Sequence, residues 1–478
     1  MSRNCPIKFG TDGWRDVIGE DYTFDNVRFV AQATADQFSR HYMANTEKKA
    51  VVGYDRRFLS GEFAQVVAEI FAGNGYQVLL ADSPVPTPVV SWHTKKQKAR
   101  VGVMITASHN PARFNGYKIK LHHGGPADAD TCRGIEAKIG LRKVTSTPLT
   151  TALKAGKIRV SDLLPRYFER LKNLVDFKRI SNTQLSFAHE PLFGVGAGCF
   201  DEILKDTKCS VRTFNATHDP NFGGINPEPI RANYTYSRKR LINQPADFCL
   251  VTDGDADRIG GMDGRGNALT THQIICLLLH HFIINRKEQG RVVKALTTTS
   301  MVDVICRHHH LTLTETGVGF KHICEEMLKG GVLLGFEESG GIGFPSHVPE
   351  RDGILAGLMI LELLAVEGKP LASLLKHLKD SYGLFEYGRI DAHFPLSKRT
   401  ALMKEAVNNP PKDLLGGAIE RIQSFDGVKY TSQNGCWLML RGSGTEPVLR
   451  IYAEAPTSNG VKRLLTQGQE IAKRVDRQ

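Results

Sequence analysis

This sequence predicts a multidomain α/β protein that closes with an α+β domain. Three observations carry that reading. The 478 residues are enough for several separate cores. Strand-like and helix-like segments alternate through most of the chain, as in α/β architecture with parallel strands. From about residue 385 the rhythm changes to one helix, a run of strands and a basic terminal helix.

In order, strands are expected at 51–54 and 77–81, on either side of a helix at 61–73, and a buried apolar strand at 101–105. The Thr/Ser/Lys-rich stretch 144–158 has weak periodicity and reads as a linker. A second unit has strands at 185–188, 211–214 and 248–251. A third has a helix at 272–284, strands at 292–296, 311–314 and 332–334, and helices at 352–366 and 370–382. The final unit has a helix at 397–408 and strands at 429–430, 436–440 and 449–453.

Composition excludes several classes. With 41% hydrophobic and 23% charged residues the chain is an ordinary globular one. The apolar segments 274–284 and 354–366 are too short and interrupted to span a bilayer, so no membrane partner is expected. The opening residues lack the apolar core of a secretory signal. The nine cysteines form no C-x-x-C pair, which argues against a disulfide framework or a zinc knuckle and for a cytoplasmic location. A net charge of +12 favours anionic partners, but the basic residues are dispersed and aromatics are modest. Small anions are expected rather than nucleic acid.

Four loops carry chemistry. Thr106-Ala107-Ser108-His109-Asn110-Pro111 follows the 101–105 strand and places a serine at a strand's C-terminal edge, where open α/β sheets bind ligands. Asp253-Gly-Asp-Ala-Asp-Arg258 follows a second strand. Its carboxylates at Asp253, Asp255 and Asp257 can converge on a hard cation, with magnesium favoured over zinc. An EF-hand would need glycine and glutamate where Arg258 and Gly264 stand. Gly335-Phe-Glu-Glu-Ser-Gly-Gly341 sets Glu337 and Ser339 on glycine-flanked backbone, suited to vicinal hydroxyls. Arg441-Gly-Ser-Gly-Thr445 offers a guanidinium, the hydroxyls of Ser443 and Thr445 and the open backbone of Gly444, a combination suited to a phosphate dianion.

Other patterns do not hold up. Gly194-Val-Gly-Ala-Gly198 has Cys199 where a dinucleotide loop needs its last glycine. Gly156-Lys157 and Gly368-Lys369 lack the Ser or Thr of a Walker A loop. His308-His309-His310 reads as a solvated helix end rather than a metal site.

The four loops, in this order, resemble those of the α-D-phosphohexomutases, the phosphoglucomutase and phosphomannomutase family. Phe9-Gly-Thr-Asp-Gly-Trp-Arg15, Asn115-Gly-Tyr-Lys118, Asp219-Pro-Asn-Phe-Gly-Gly-Ile-Asn-Pro-Glu-Pro229 and Thr316-Gly-Val-Gly-Phe-Lys321 extend the resemblance along the chain. It implies three similar mixed-sheet α/β domains and a smaller α+β domain around a central cleft, at 1–155, 156–262, 263–384 and 385–478. Ser108 then carries a phosphoryl group and, with the three aspartates, holds magnesium. Lys118, with His109 and Arg15 nearby, is the acid–base candidate, and Arg258 supports the nucleophile. Glu337 and Ser339 contact sugar hydroxyls, while Arg441, Ser443, Gly444 and Thr445 grip the distant phosphate. Some branches of the family carry a histidine where this chain has Gly341.

The implied reaction interconverts hexose 1-phosphate and hexose 6-phosphate, glucose first and mannose second, through a hexose 1,6-bisphosphate that also serves as activator. A glucose 1,6-bisphosphate synthase and a phosphoglucosamine mutase are the alternatives. The expected assembly is a monomer or homodimer.

Overall fold

Apolar strands flanked by helices build the sheets that present these loops. The computed structural model describes residues 7–39, 46–442 and 447–476. The chain divides into two units, Met1–Glu288 with Gly319–Ser373, and Gln289–Val318 with Leu374–Gln478.

In the first unit, the strand Ala99–Ile105 lies inside a six-stranded mixed sheet. Glu47–Tyr54, Gln77–Ala81 and Ile158–Ser161 continue it in parallel on one side. On the other side Phe114–Leu121 and then Trp14–Val17 pair antiparallel. Helices Phe24–Gln37 and Ser60–Gly73 contribute Val27, Val30, Phe63, Val67 and Phe71 to the core over this sheet. The stretch expected as a linker is instead part of this layer. It contains the helix Leu149–Lys154, whose Ala152 is buried in the same core, and it leads into the edge strand Ile158–Ser161. Apolar positions in that stretch are spaced too irregularly to show periodicity, yet Val144, Leu149 and Ala152 pack against the core and seat the short helix.

A second, five-stranded sheet runs Ala268–Leu269, Ile259–Asp263, Phe248–Thr252, Ser186–Glu190, Ser210–Thr213, with its last three strands parallel. The unit also contains an antiparallel set, Val332–Phe336, Ile342–Phe344 and Val348–Arg351. The helix Gly353–Glu367 is apolar on all sides and buried from Gly353 to Ala365, as expected of a helix enclosed by protein. Thr270 and Gln273 form a capping box at the start of helix Thr271–His280, which passes into a π-helical turn at His281–Asn285.

In the second unit, Arg291–Ala295 and Leu313–Thr316 pair in parallel. A six-stranded antiparallel sheet runs Glu386–His393, Val448–Ala455, Trp437–Gly442, Val428–Ser432, Gly417–Gln423, Asp413–Leu414. The helices Arg399–Asn408 and Ser458–Asp476 add Leu402, Val461, Leu464 and Ile471 to its core. Among the described residues no helix is long and apolar enough to cross a membrane.

Candidate active site

Ser108 stands just past the strand Ala99–Ile105, 1% exposed, with φ at 53°. A non-glycine residue in that left-handed region costs on the order of 1–3 kcal/mol and persists only where its surroundings impose it. Its Oγ donates to Asp253 Oδ2 at 2.9 Å and lies 3.4 Å from His109 Nδ1. Its backbone N–H donates to Thr106 Oγ1 at 2.8 Å, and that hydroxyl donates to Asp55 Oδ2 at 2.6 Å. Arg15, on the strand Trp14–Val17, donates to Asn110 Oδ1 at 2.9 Å and so reaches the same loop.

The aspartate loop meets the serine loop at Gly254. A Cβ there would lie 2.5 Å from Ser108 O and 3.0 Å from Pro227 Cγ, so close approach requires glycine. Asp253, Asp255 and Asp257 are fully buried, and one oxygen from each lies within 4.8 Å of the others. Asp253 Oδ1 accepts from the backbone N–H groups of Asp257 and Arg258, at 3.0 and 3.2 Å. Asp255 Oδ2 accepts from Thr87 Oγ1 at 2.6 Å and Lys118 Nζ at 2.8 Å. Asp255 Oδ1 and Asp257 Oδ1 are buried and have no hydrogen-bond donor among the described residues. Three convergent carboxylates with orphaned oxygens fit a hard divalent cation.

Charge is balanced inside this site by three buried cations. Lys118 sits on the strand Phe114–Leu121, opposite Met104, with its ammonium 2.9 Å from Asp12, 2.8 Å from Asp255 and 2.9 Å from Asp257. Burial alone would lower the Lys118 pKa, but Asp12, Asp255 and Asp257 outweigh it and raise the pKa, so the amine stays protonated. Arg351 bonds Asp12 and, at 2.9 Å, Asp257. Arg258 Nε lies 3.8 Å from Asp257 Oδ1 and 4.0 Å from Asp253 Oδ2. Burial and the neighbouring Asp255 and Asp257 push the Asp253 carboxyl well above the usual range. Burial, with Arg258 and Arg15, holds His109 well below the ordinary imidazole value and therefore neutral.

The sugar-loop candidates close the first unit's site. Ile259 N–H donates to Gly340 O at 3.0 Å, and Arg258 bridges Gly341, so this loop is stitched to the aspartate loop. Glu337 is 6% exposed, with Arg351 Nη1 3.5 Å away. Burial raises its pKa to about 7, against the lowering pull of Arg351. Ser339 is partly buried beside it. At Gly341 an added Cβ would collide with the Arg351 side chain, which occupies the space a larger residue would take.

In the second unit, Arg441 lies on the strand Trp437–Gly442, and its Nε donates to Asp426 Oδ1 at 3.0 Å. Asp426 Oδ2 also accepts from Val318 N–H at 2.7 Å. Ser443, Gly444 and Thr445 lie outside the described residues.

The structure thus brings together Ser108, His109, Arg15, Lys118, Arg258, Glu337 and the three aspartates. It adds Asp12, Asp55, Arg57, Thr87 and Arg351, which sequence reasoning missed. The charged run Asp55-Arg56-Arg57, directly after a strand, was a usable signal; nothing local marked Thr87 or Arg351.

Family models of phosphoglucomutase/phosphomannomutase α/β/α domains I, II and III match residues 6–143, 165–266 and 270–382, and the C-terminal domain model matches 402–468. The chain belongs to the phosphoglucomutase/phosphomannomutase family. It is therefore an enzyme of intramolecular phosphate transfer, with the mixed-sheet α/β domains of that family. It is 26% identical over 472 residues to a phosphoglucomutase/phosphomannomutase of Thermococcus kodakarensis, covering 96% of this chain and 97% of that one. A phosphoglucosamine mutase of Maricaulis maris is 30% identical over 449 residues, covering 93% and 94%. A crystal structure from Thermus thermophilus, with a provisional phosphomannomutase name, superposes with a TM-score of 0.85 at 34% identity and covers 98% and 100%.

Proposed function

We propose that this enzyme interconverts hexose 1-phosphate and hexose 6-phosphate, glucose first and mannose second, through phosphorylated Ser108 and a hexose 1,6-bisphosphate. One observation carries the reading: a strained, buried serine hydroxyl lies 2.9 Å from the first of three clustered carboxylates and 3.4 Å from a neutral histidine.

Asp253, Asp255 and Asp257, with the Ser108 phosphate, would hold magnesium, which compensates charge on the transferring phosphoryl group. In the first transfer a sugar hydroxyl attacks phosphorus, the bond from phosphorus to Ser108 Oγ breaks, and one proton passes from the sugar oxygen to the serine oxygen. In the second, after the bisphosphate reorients, Ser108 attacks the other phosphate and the proton passes back. His109, neutral and beside Oγ, serves the serine end. In the second transfer neutral His109 can take the serine proton while the Lys118 ammonium, with Arg15 beside it, gives one to the sugar oxygen. The first transfer starts from the converse states, with that proton on His109 and absent from Lys118, and Arg258 supports the nucleophile. Arg441, with Ser443, Gly444 and Thr445, grips the phosphate that is not being transferred. Glu337, which titrates near neutrality, and Ser339 read adjacent ring hydroxyls and leave the C2 configuration unread. That is the ground for accepting both glucose and mannose.

The test is a coupled assay with glucose, mannose and glucosamine 1-phosphates and catalytic glucose 1,6-bisphosphate. Fast conversion of the glucose and mannose esters with little bisphosphate accumulation is expected. A dominant rate with the glucosamine ester would overturn the sugar assignment. With fructose 1,6-bisphosphate added as phosphate donor, stoichiometric glucose 1,6-bisphosphate accumulation with slow isomerisation would turn the reading into a synthase.

A further inference from the structure

The geometry points to Arg57 as the positioning residue that sets the Ser108 nucleophile, an inference that rests on the phosphoserine reading above. Asp55-Arg56-Arg57 follows the strand Glu47–Tyr54, the parallel neighbour of the strand that leads into the serine loop. The Arg57 side chain is 0% exposed, so it does not reach the substrate. Its Nη2 donates to Ser108 O and to Asn110 O, both at 2.7 Å. Its Nη1 donates to Pro111 O at 2.8 Å and to Phe114 O at 3.0 Å. Nε lies 3.2 Å from Asp55 Oδ2, and the guanidinium lies 4.9 Å over the ring of buried Phe222. One planar fork therefore collects four carbonyls of the segment 108–114, which the three diverging donors of a lysine cannot do.

The other backbone group of Ser108 returns to the same pair. Its N–H is held by Thr106 Oγ1, and Thr106 is held by Asp55. Asp55 in turn accepts from the Arg57 backbone N–H at 2.9 Å. Both the N–H and the C=O of Ser108 are thus fixed by Asp55 and Arg57. That double hold keeps its φ at 53° and its Oγ on Asp253. The bond to Asn110 O extends the hold to Arg15, which is anchored on the Asn110 side chain.

The experiment compares Arg57→Lys, Thr106→Val and Thr106→Ser with wild type by four readouts: intact mass, melting temperature, the phosphoserine 31P resonance, and kcat and KM for glucose 1-phosphate. Arg57→Lys should fold and lose about a hundredfold in kcat with KM little changed, because a displacement near 1 Å at a nucleophile costs that much. Its 31P resonance should shift. Thr106→Val should fall in the same direction, and Thr106→Ser, which restores the hydroxyl, should recover. A folded Arg57→Lys enzyme with wild-type kcat, or equal kcat in the two Thr106 variants, would overturn the inference. If Arg57→Lys does not fold, the Thr106 pair decides. Wild type without phosphate on Ser108 would instead overturn the functional reading on which the inference stands.

Discussion

At Ser108 a left-handed backbone, a neutral imidazole and Asp253 act on a single hydroxyl. The hydroxyl itself contributes little packing, so Ser108→Ala should fold with a melting temperature close to wild type and lose mutase turnover. Intact mass should show a labile phosphate on wild type that the variant lacks, and full turnover in the variant would contradict the nucleophile. Glu337 gives a prediction in pH. Its folded pKa is raised from 4.5 to about 7 by burial, so its contribution to stability is complete below about 4.5 and is lost as pH rises through about 7. Relative to Glu337→Gln, wild type should lose on the order of 3 kcal/mol across that window. Urea unfolding of both proteins at about pH 5 and about pH 8, in chelator, measures it. The opposite slope would mean that Arg351 dominates over burial.

Strands and loops are the scale at which the carboxylates meet the serine. Gly254→Ala inserts a Cβ 2.5 Å from Ser108 O and should separate the two loops, costing about 1–3 kcal/mol in stability and most of the activity. Calorimetry and the coupled assay together check this, since a stability loss with full activity would show that the loops need not touch. The aspartate loop predicts a metal requirement. Asp255→Asn should lower turnover by about a hundredfold or more, and chelation of wild type should act reversibly in the same direction. Undiminished rates in excess chelator would remove the metal from the reaction. The strand Phe114–Leu121 shows what local pattern conceals. Its alternation of Tyr117 and Ile119 with Lys118 and Lys120 reads as one dry and one wet face, yet both lysines are 0% exposed. Their partners, Asp255, Asp257 and Glu350, lie far along the chain, and no window around the strand contains them.

Across the whole molecule, a mutase must hold its bisphosphate through reorientation, which calls for grip at the phosphate remote from the serine. Arg441→Ala should therefore lower kcat/KM for sugar phosphates by about a hundredfold while Ser108 remains able to accept phosphate. Bisphosphate should then escape to solution during turnover, and product analysis would detect it. Unchanged efficiency would contradict the role proposed for Arg441. The sequence by itself determined where the reactive loops begin, because a buried strand that ends in Thr106-Ala-Ser-His or Thr252-Asp-Gly-Asp is a local signal of backbone and burial. It also marked three carboxylates that can converge from alternate positions of one tight loop, and the fold brings them together. Tertiary structure alone decided that 144–158 packs as helix and edge strand, that Asp12, Thr87 and Arg351 enter the site, and that Asp55 and Arg57 hold the serine. It also decided the charge states: Lys118 protonated, His109 neutral and Glu337 titrating near neutrality. The physical reason is range. Strand, turn and loop chemistry arise between neighbours in the chain, whereas desolvation and ion pairing depend on groups that only folding brings together.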